Sequence, residues 1–111
     1  MKKIFITSLI ASVFALVLVA VPANTEAAVS CDFSRDLEMG IDGEDVRCLQ
    51  RYLNSAGFTV ALSGVGSPGN ETSLFRTLTK EAVIEWQKAN GISPASGYFG
   101  PLSRSKYNQL I

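Results

Sequence analysis

Apolar side chains recur at helical spacing after Gly43, and they predict a first amphipathic helix from about Glu44 to Ser55. Glu44 and Asp45 stand where negative charge favours a helix N-terminus. Gly57 is expected to cap the C-terminus of this helix. One buried stripe is predicted, formed by Val46, Leu49, Leu53 and Ala56.

A second segment predicts a helix that starts near Thr79, its expected N-cap, and ends before Gly91. Its inner face is expected to carry Ala82, Val83, Trp86 and Asn90. Trp86 is predicted to be a core residue, because an aromatic side chain on the apolar face of a helix packs against the interior. Ile84 falls on the opposite side of the helix and is expected to be a lone exposed apolar residue.

The end of the chain repeats the pattern that precedes the second helix. Aligning "SLFRTLTKEAVIEW" with "GYFGPLSRSKYNQL" pairs Phe75 with Phe99, Leu78 with Leu102, Thr79 with Ser103, and Lys80 with Arg104. In both copies an aromatic anchor and a turn lead to a hydroxyl that is expected to cap a helix. We therefore predict a mainly α fold, a small three-helix bundle, in which the glycine-rich residues 58–75 form a long loop or a short hairpin.

The N-terminal segment has the order of a secretory signal peptide, with Lys2 and Lys3 before the apolar residues 4–21 and small residues after them. Residues 1–28 are therefore expected to be a signal peptide cleaved near residues 23–28, and residues 29–111 to be one domain. The alternative is a retained anchor, because about eighteen apolar residues suffice to span a bilayer. Contact with a membrane is expected only in that case.

Cys31 and Cys48 both lie in the part that would be exported. Because an exported chain meets an oxidising compartment, an even number of cysteines predicts a single disulfide between them. Two free buried thiols are the alternative. The chain has no histidine, and two cysteines are a poor ligand set, so neither a metal nor another cofactor is expected.

The charge balance and the lack of histidine reduce the number of function classes that the sequence supports. Without Lys2, Lys3 and Glu26, the 10 basic and 10 acidic residues become 8 and 9, a balance that is unlike that of nucleic-acid binders. A histidine-free chain lacks the usual base for a serine or cysteine nucleophile. Paired carboxylates remain as glycosidase candidates. The densest acidic cluster, Asp42, Glu44 and Asp45, is however explained by the start of a helix.

Three stretches carry a family resemblance: "GIDGEDVRCLQRYLNSAGF", "LTKEAVIEWQKANGI" and "SGYFGPLSRSKYNQL". Together they resemble the peptidoglycan-binding-like domain of bacterial cell-wall proteins over residues 33–110. The resemblance implies a three-helix bundle that binds cell-wall glycopeptide, usually beside a separate catalytic domain. This chain departs from the family pattern at Arg76, where glycine is usual, at Trp86 and Ser103, and in a longer loop at residues 60–74.

The repeated stretch also suggests where a ligand would bind. Each copy places a polar turn and a cation at a helix start, and Arg76, Lys80, Tyr98 and Arg104 are expected to rim a groove. Peptidoglycan stems carry carboxylates and sugar rings favour aromatic faces, so such a groove would offer both kinds of contact. The alternative is that these residues only cap helices and keep the surface soluble.

Two function classes therefore remain open. The first is a secreted, non-catalytic module that binds the glycan or the stem peptide of peptidoglycan, outside the cytoplasm or in the cell wall. The second is a module for a protein partner, because similar domains also serve as pro-segments and adaptors. An enzyme is a third class with little support in the sequence.

Overall fold

The computed structural model describes residues 29–111, which form three helices. Helix α1 spans Glu44–Ser55, α2 spans Thr77–Ala89 and α3 spans Pro101–Leu110. The prediction of a mainly α, three-helix fold is thus confirmed. Within the described residues, β structure is limited to two isolated bridges, and none of the three helices is long and apolar enough to cross a membrane. The predicted signal peptide lies outside these residues.

Helix α1 has the predicted bounds, because both of its ends carry local signals. Gly57 follows the helix with a φ of 94°, and the N–H of Phe58 donates to the carbonyl of Leu53 at 2.8 Å, which closes a Schellman-type cap. Val46, Leu49 and Leu53 are buried as predicted. Ala56 was wrongly placed in the stripe: it follows the last helical turn and is exposed.

Helices α2 and α3 begin three residues earlier than a cap at Thr79 or Ser103 would imply. Their N-caps are Arg76 and Gly100, and neither makes a side-chain capping hydrogen bond. Thr79 and Ser103 instead occupy the third helical position, where both are buried. The cap prediction was wrong at both sites, because each hydroxyl bonds a side chain from the preceding helix.

The segment before α1 ties the starts of α2 and α3 together. Leu37 and Phe99 exchange two backbone hydrogen bonds, at 2.9 and 2.8 Å. Three residues further on, Gly40 donates to the carbonyl of Phe75 at 2.8 Å, and Phe75 donates to that of Ile41 at 2.9 Å. Leu37, Phe75 and Phe99 are all buried, so these backbone contacts hold both aromatic anchors in the core.

Five aromatic rings form a closed circle of contacts in the core. Phe33 packs on Phe99 and Tyr107 with centroids 4.9 Å apart in each case, and Tyr52 packs on Tyr107 at 4.8 Å. Trp86 completes the circle with Tyr52 at 6.2 Å and Phe99 at 5.5 Å. Trp86 is 1% exposed, as a core residue should be, and its indole N–H donates to the Tyr52 hydroxyl at 3.2 Å.

The disulfide between Cys31 and Cys48 is formed, as predicted. It links the start of the domain to the middle of α1 across 17 residues. The backbone N–H of Cys31 donates to the hydroxyl of Tyr107 at 2.7 Å. The start of the domain is therefore fixed to α1 by a covalent bond and to α3 by a buried hydrogen bond.

Candidate ligand-binding site

Two buried glutamines fix the turns that precede α2 and α3. We call these turns turn A, residues 72–76, and turn B, residues 96–100. Gln87 in α2 donates to the carbonyl of Tyr98 at 2.8 Å and to Ser103 Oγ at 3.0 Å, and it accepts from the N–H of Gly97 at 2.8 Å. With both ends of its amide bonded, Gln87 clamps turn B onto α2.

Gln50 in α1 does the same for turn A. It donates to the carbonyl of Leu74 at 3.1 Å and to Thr79 Oγ1 at 2.9 Å. Its amide oxygen accepts from the N–H of Thr72 at 2.7 Å. Both glutamines are nearly fully buried, at 2% and 1% exposure for Gln50 and Gln87, so these amide contacts are made away from water. Each helix therefore positions the start of the next one.

Turn B borders a cleft of about 130 Å³ that we call cavity B. Its walls are mainly apolar and come from the end of α2, from the segment between α2 and turn B, from turn B itself and from the first turn of α3: Gln87, Ile92, Pro94, Ser96, Tyr98, Gly100, Pro101, Leu102 and Ser103. The Tyr98 ring lies directly over Gly100, where a Cβ atom would collide with it. Glycine at position 100 thus allows the ring to form a wall of the cavity.

Asp36 joins two of the predicted site residues. The Tyr98 hydroxyl donates to Asp36 Oδ2 at 2.5 Å, and Arg104 Nη2 donates to Asp36 Oδ1 at 2.7 Å. The hydrogen bond to Asp36, with desolvation second, raises the pKa of Tyr98 above its ordinary value. Arg104 Nε is buried and has no hydrogen-bond partner among the described residues, so this guanidinium is only partly satisfied.

Lys80 lies over turn B from the side of α2. Gly97 has a φ of 87°, and a Cβ atom on it would come within 2.5 Å of Lys80 Cγ and 3.2 Å of Ile84 Cγ1. The stem of Lys80 therefore packs against the backbone of turn B. The expectation that Ile84 is exposed was wrong, because this close approach leaves its side chain half-buried.

Arg76, the fourth predicted residue, lies at a different cleft. Cavity A, of about 190 Å³, borders turn A and is lined by Gln50, Val60, Val65, Gly66, Thr72, Leu74, Arg76, Thr77, Leu78 and Thr79. The structure thus gathers Lys80, Tyr98 and Arg104 around turn B and places Arg76 at turn A.

Three side chains that position the site were missed as site residues in the sequence: Asp36, Gln50 and Gln87. The sequence carried a signal for the two glutamines, because each one comes directly after a buried apolar residue of its helix. Asp36 had no such signal, because it lies 62 residues from Tyr98 and 68 from Arg104 along the chain. Only the fold brings the three together.

Two of the three acidic residues considered for catalysis, Glu44 and Asp45, pair with arginines, and the third, Asp42, accepts a hydrogen bond from Arg35 through its backbone carbonyl. Asp45 Oδ2 pairs with Arg35 Nε at 2.8 Å, and the hydrogen bond from Arg35 lowers the pKa of Asp45 below its ordinary value. Glu44 pairs with Arg47 at 3.0 Å. Residues 29–111 contain no cluster of three side chains able to hold a metal ion.

Comparison with known proteins places the chain in a family. No curated protein matches it significantly. The family model described as "Putative peptidoglycan binding domain" matches residues 42–106, which is more than half of the chain and includes all three helices except the last residues of α3. Both glutamine clamps and both cavities lie within the match. The chain therefore belongs to the peptidoglycan-binding domain family.

Proposed function

We propose that this chain is a secreted, non-catalytic module that binds peptidoglycan through cavity B and the side chains around it. The observation that carries the proposal is the construction of this cleft. Tyr98 is 41% exposed and forms one of its walls, while Asp36 fixes the Tyr98 hydroxyl and Arg104. Membership of a family of peptidoglycan-binding domains supports the same ligand.

The chemistry of this surface suits both parts of the polymer. A sugar ring would pack on the exposed face of Tyr98, as sugars do on aromatic side chains. Lys80, which makes no ion pair within residues 29–111, would meet a stem carboxylate, and Arg104 would meet one beside its pair with Asp36. Exposed contacts of this kind are individually weak, so we expect modest affinity that falls with added salt.

Two features support secretion and the absence of catalysis. The Cys31–Cys48 disulfide fits an oxidising compartment, and the N-terminal 28 residues have the order of a signal peptide. Asp45 and Glu44 are bound to arginines, which is the ordinary use of carboxylates at a helix start. The module would therefore hold itself, or a partner enzyme acting in trans, at the cell wall.

Sedimentation with purified, protein-free sacculi tests the proposal. Replacing Lys80 and Arg104 together with Ala should weaken binding at a temperature where circular dichroism shows both proteins folded, although loss of the Arg104–Asp36 pair should also lower the melting temperature somewhat. The matched control replaces Arg51 and Lys88 with Ala, since it removes the same charge from exposed positions of α1 and α2. Equal binding by the parent and the Lys80/Arg104 variant would place the ligand elsewhere. If the parent itself stays in the supernatant, peptidoglycan binding is refuted.

A protein-interaction module is the second candidate, and one observation favours it. Leu62 and Val65 are 94% and 75% exposed in the loop between α1 and α2. Apolar side chains displayed this way on one loop are typical of contact surfaces for other proteins. Failure to bind sacculi, together with loss of a cell-wall protein partner in Leu62→Asp, would favour this function over the first.

A further inference from the structure

Cavities A and B are lined by matching positions of the internal repeat. When Phe75 is aligned with Phe99, six lining residues of one cavity fall on six of the other: Thr72 on Ser96, Leu74 on Tyr98, Arg76 on Gly100, Thr77 on Pro101, Leu78 on Leu102, and Thr79 on Ser103. The inner wall is a clamping glutamine in both, Gln50 in cavity A and Gln87 in cavity B. The two clefts are therefore the same structure built twice.

The differences between the cavities are chemical. Cavity B has the aromatic ring of Tyr98 where cavity A has Leu74. Cavity A is lined by Arg76 where cavity B has Gly100. An aromatic wall suits a sugar ring, whereas an arginine beside apolar side chains suits a carboxylate on an apolar group. The two clefts are thus suited to different parts of one ligand.

The long loop between α1 and α2 supplies the outer wall of cavity A, through Val60, Val65 and Gly66. Asn54 holds this wall: it donates to the carbonyl of Gly66 at 3.1 Å and accepts from the N–H of Val60 at 2.7 Å. Asn54 also donates to a carboxylate oxygen of Glu71 at 2.9 Å. The wall is therefore fixed by hydrogen bonds, although Val65 itself is largely exposed.

Arg76 is positioned to meet a ligand. It is exposed, and within residues 29–111 its guanidinium makes no ion pair and no hydrogen bond. Of the four other arginines in residues 29–111, Arg35, Arg47 and Arg104 each pair with a carboxylate, whereas Arg51 is unpaired but does not line cavity A. The charge of Arg76 thus lies beside an apolar cleft without a carboxylate partner from the described part of the chain.

We propose that cavity A is a second ligand subsite, which takes the carboxylate end of a short peptide with small apolar side chains. Arg76 would bind the carboxylate, and the methyl groups would contact Val60, Val65 and Leu78. This rests on the proposed function and deepens it, because cavity B would take the sugar-proximal part while cavity A takes the free end of a stem peptide. Binding sites of this type are apolar with a few placed polar groups.

Amide NMR on the purified, disulfide-bonded full chain tests the proposal. The probe is N-acetyl-lysyl-D-alanyl-D-alanine, and the same peptide with a C-terminal carboxamide is the matched ligand. We expect the free acid to shift the amides of residues 72–79. The carboxamide and the Arg76→Ala variant should each weaken this binding about two- to fivefold, which is the loss of one ion pair at an exposed site.

Two variants of the loop distinguish binding inside cavity A from a general effect of added charge on the loop. Val65→Asp places a negative charge in the wall of cavity A and should abolish the shifts at residues 72–79. Ser63→Asp adds the same charge to the same loop, at an exposed position that does not line the cavity, and should bind as the parent does. Both sites are exposed, so neither change disturbs the core.

Sacculus sedimentation, run in parallel, distinguishes this proposal from the proposed function. Sacculus binding combined with no peptide shift at residues 72–79, or with shifts confined to residues 96–103, overturns the second subsite and leaves peptidoglycan binding intact. A chain that binds neither sacculi nor peptide overturns both. Equal affinity for the acid and the carboxamide also overturns the role of Arg76.

Discussion

Replacement of Gln87 by Met is expected to destabilise the domain strongly. The change keeps an unbranched side chain of similar volume but removes the amide. Three groups then lose their partner: the N–H of Gly97, the carbonyl of Tyr98 and the hydroxyl of Ser103. The site is 1% exposed, so water does not replace the lost contacts without opening the structure.

The expected cost follows from the number of hydrogen bonds. Each one contributes about 1 kcal/mol net, and a buried group left unsatisfied costs about 1–3 kcal/mol. Because the Ser103 hydroxyl can rotate and Tyr98 is partly exposed, we expect a total loss of about 3 to 5 kcal/mol. That is a large share of the roughly 5–15 kcal/mol that stabilises a domain. Gln50→Met, which removes the other clamp, should cost a similar amount.

Urea denaturation followed by tryptophan fluorescence measures this loss. Trp86 is the single tryptophan of the chain and lies next to Gln87, so its emission reports on unfolding of the core. Gln109→Met is the control, because Gln109 is exposed and the same substitution there should change stability by less than about 0.5 kcal/mol. A Gln87→Met protein whose midpoint matches that of the Gln109→Met protein would refute the clamp.

Three further predictions concern the core, the disulfide and pH. Trp86→Ala should cost about 3 to 5 kcal/mol by leaving a cavity inside the aromatic circle, measured by urea denaturation followed by far-UV circular dichroism; a fully stable variant that lost only ligand binding would assign Trp86 to the ligand site instead. Replacing Cys31 and Cys48 together with Ser should cost about 3 kcal/mol, and thiol titration of the unfolded, unreduced parent should find no free thiol. Because Arg35 lowers the pKa of Asp45 from its ordinary value of 3.8, this pair stabilises the fold above that pH and its contribution is lost as pH falls through the lower folded-state pKa. Asp45→Asn should therefore lower the melting temperature at pH 7 and leave it close to that of the parent only well below pH 3.8, where Asp45 is protonated in the folded state as well, whereas an equal difference at both pH values would assign the effect to another cause.

The sequence predicted those parts of the fold that depend on neighbours along the chain. The bounds of α1 were correct because two acidic residues and Gly57 mark its ends locally. The N-caps of α2 and α3 were misplaced by three residues, because Thr79 and Ser103 look like N-caps in isolation. Their hydroxyls bond Gln50 and Gln87, which lie 29 and 16 residues away, and no local pattern contains that information.

The candidate site, like the fold, was predicted from the sequence only in part. The internal repeat identified Arg76 and Lys80 at one helix start and Tyr98 and Arg104 at the other, with Lys80 and Arg104 at matching positions. It did not show that the two copies form separate cavities, because the wall of cavity A comes from a loop whose conformation depends on Asn54. It also gave no sign of Asp36, which reaches Tyr98 and Arg104 only after the segment before α1 has paired with turn B.

The glutamine clamps allow the segment between a clamping residue and its turn to vary in length. Gln50 grips turn A directly, so the position of α2 does not depend on the path of the residues between α1 and that turn. The chain itself illustrates this: the clamping amide and the clamped hydroxyl are 29 residues apart in the first unit and 16 in the second, yet both units end in the same geometry. Insertions between a clamp and its turn are thereby absorbed as surface loops. Such a loop is where members of one family can acquire new ligand contacts without altering the bundle beneath it.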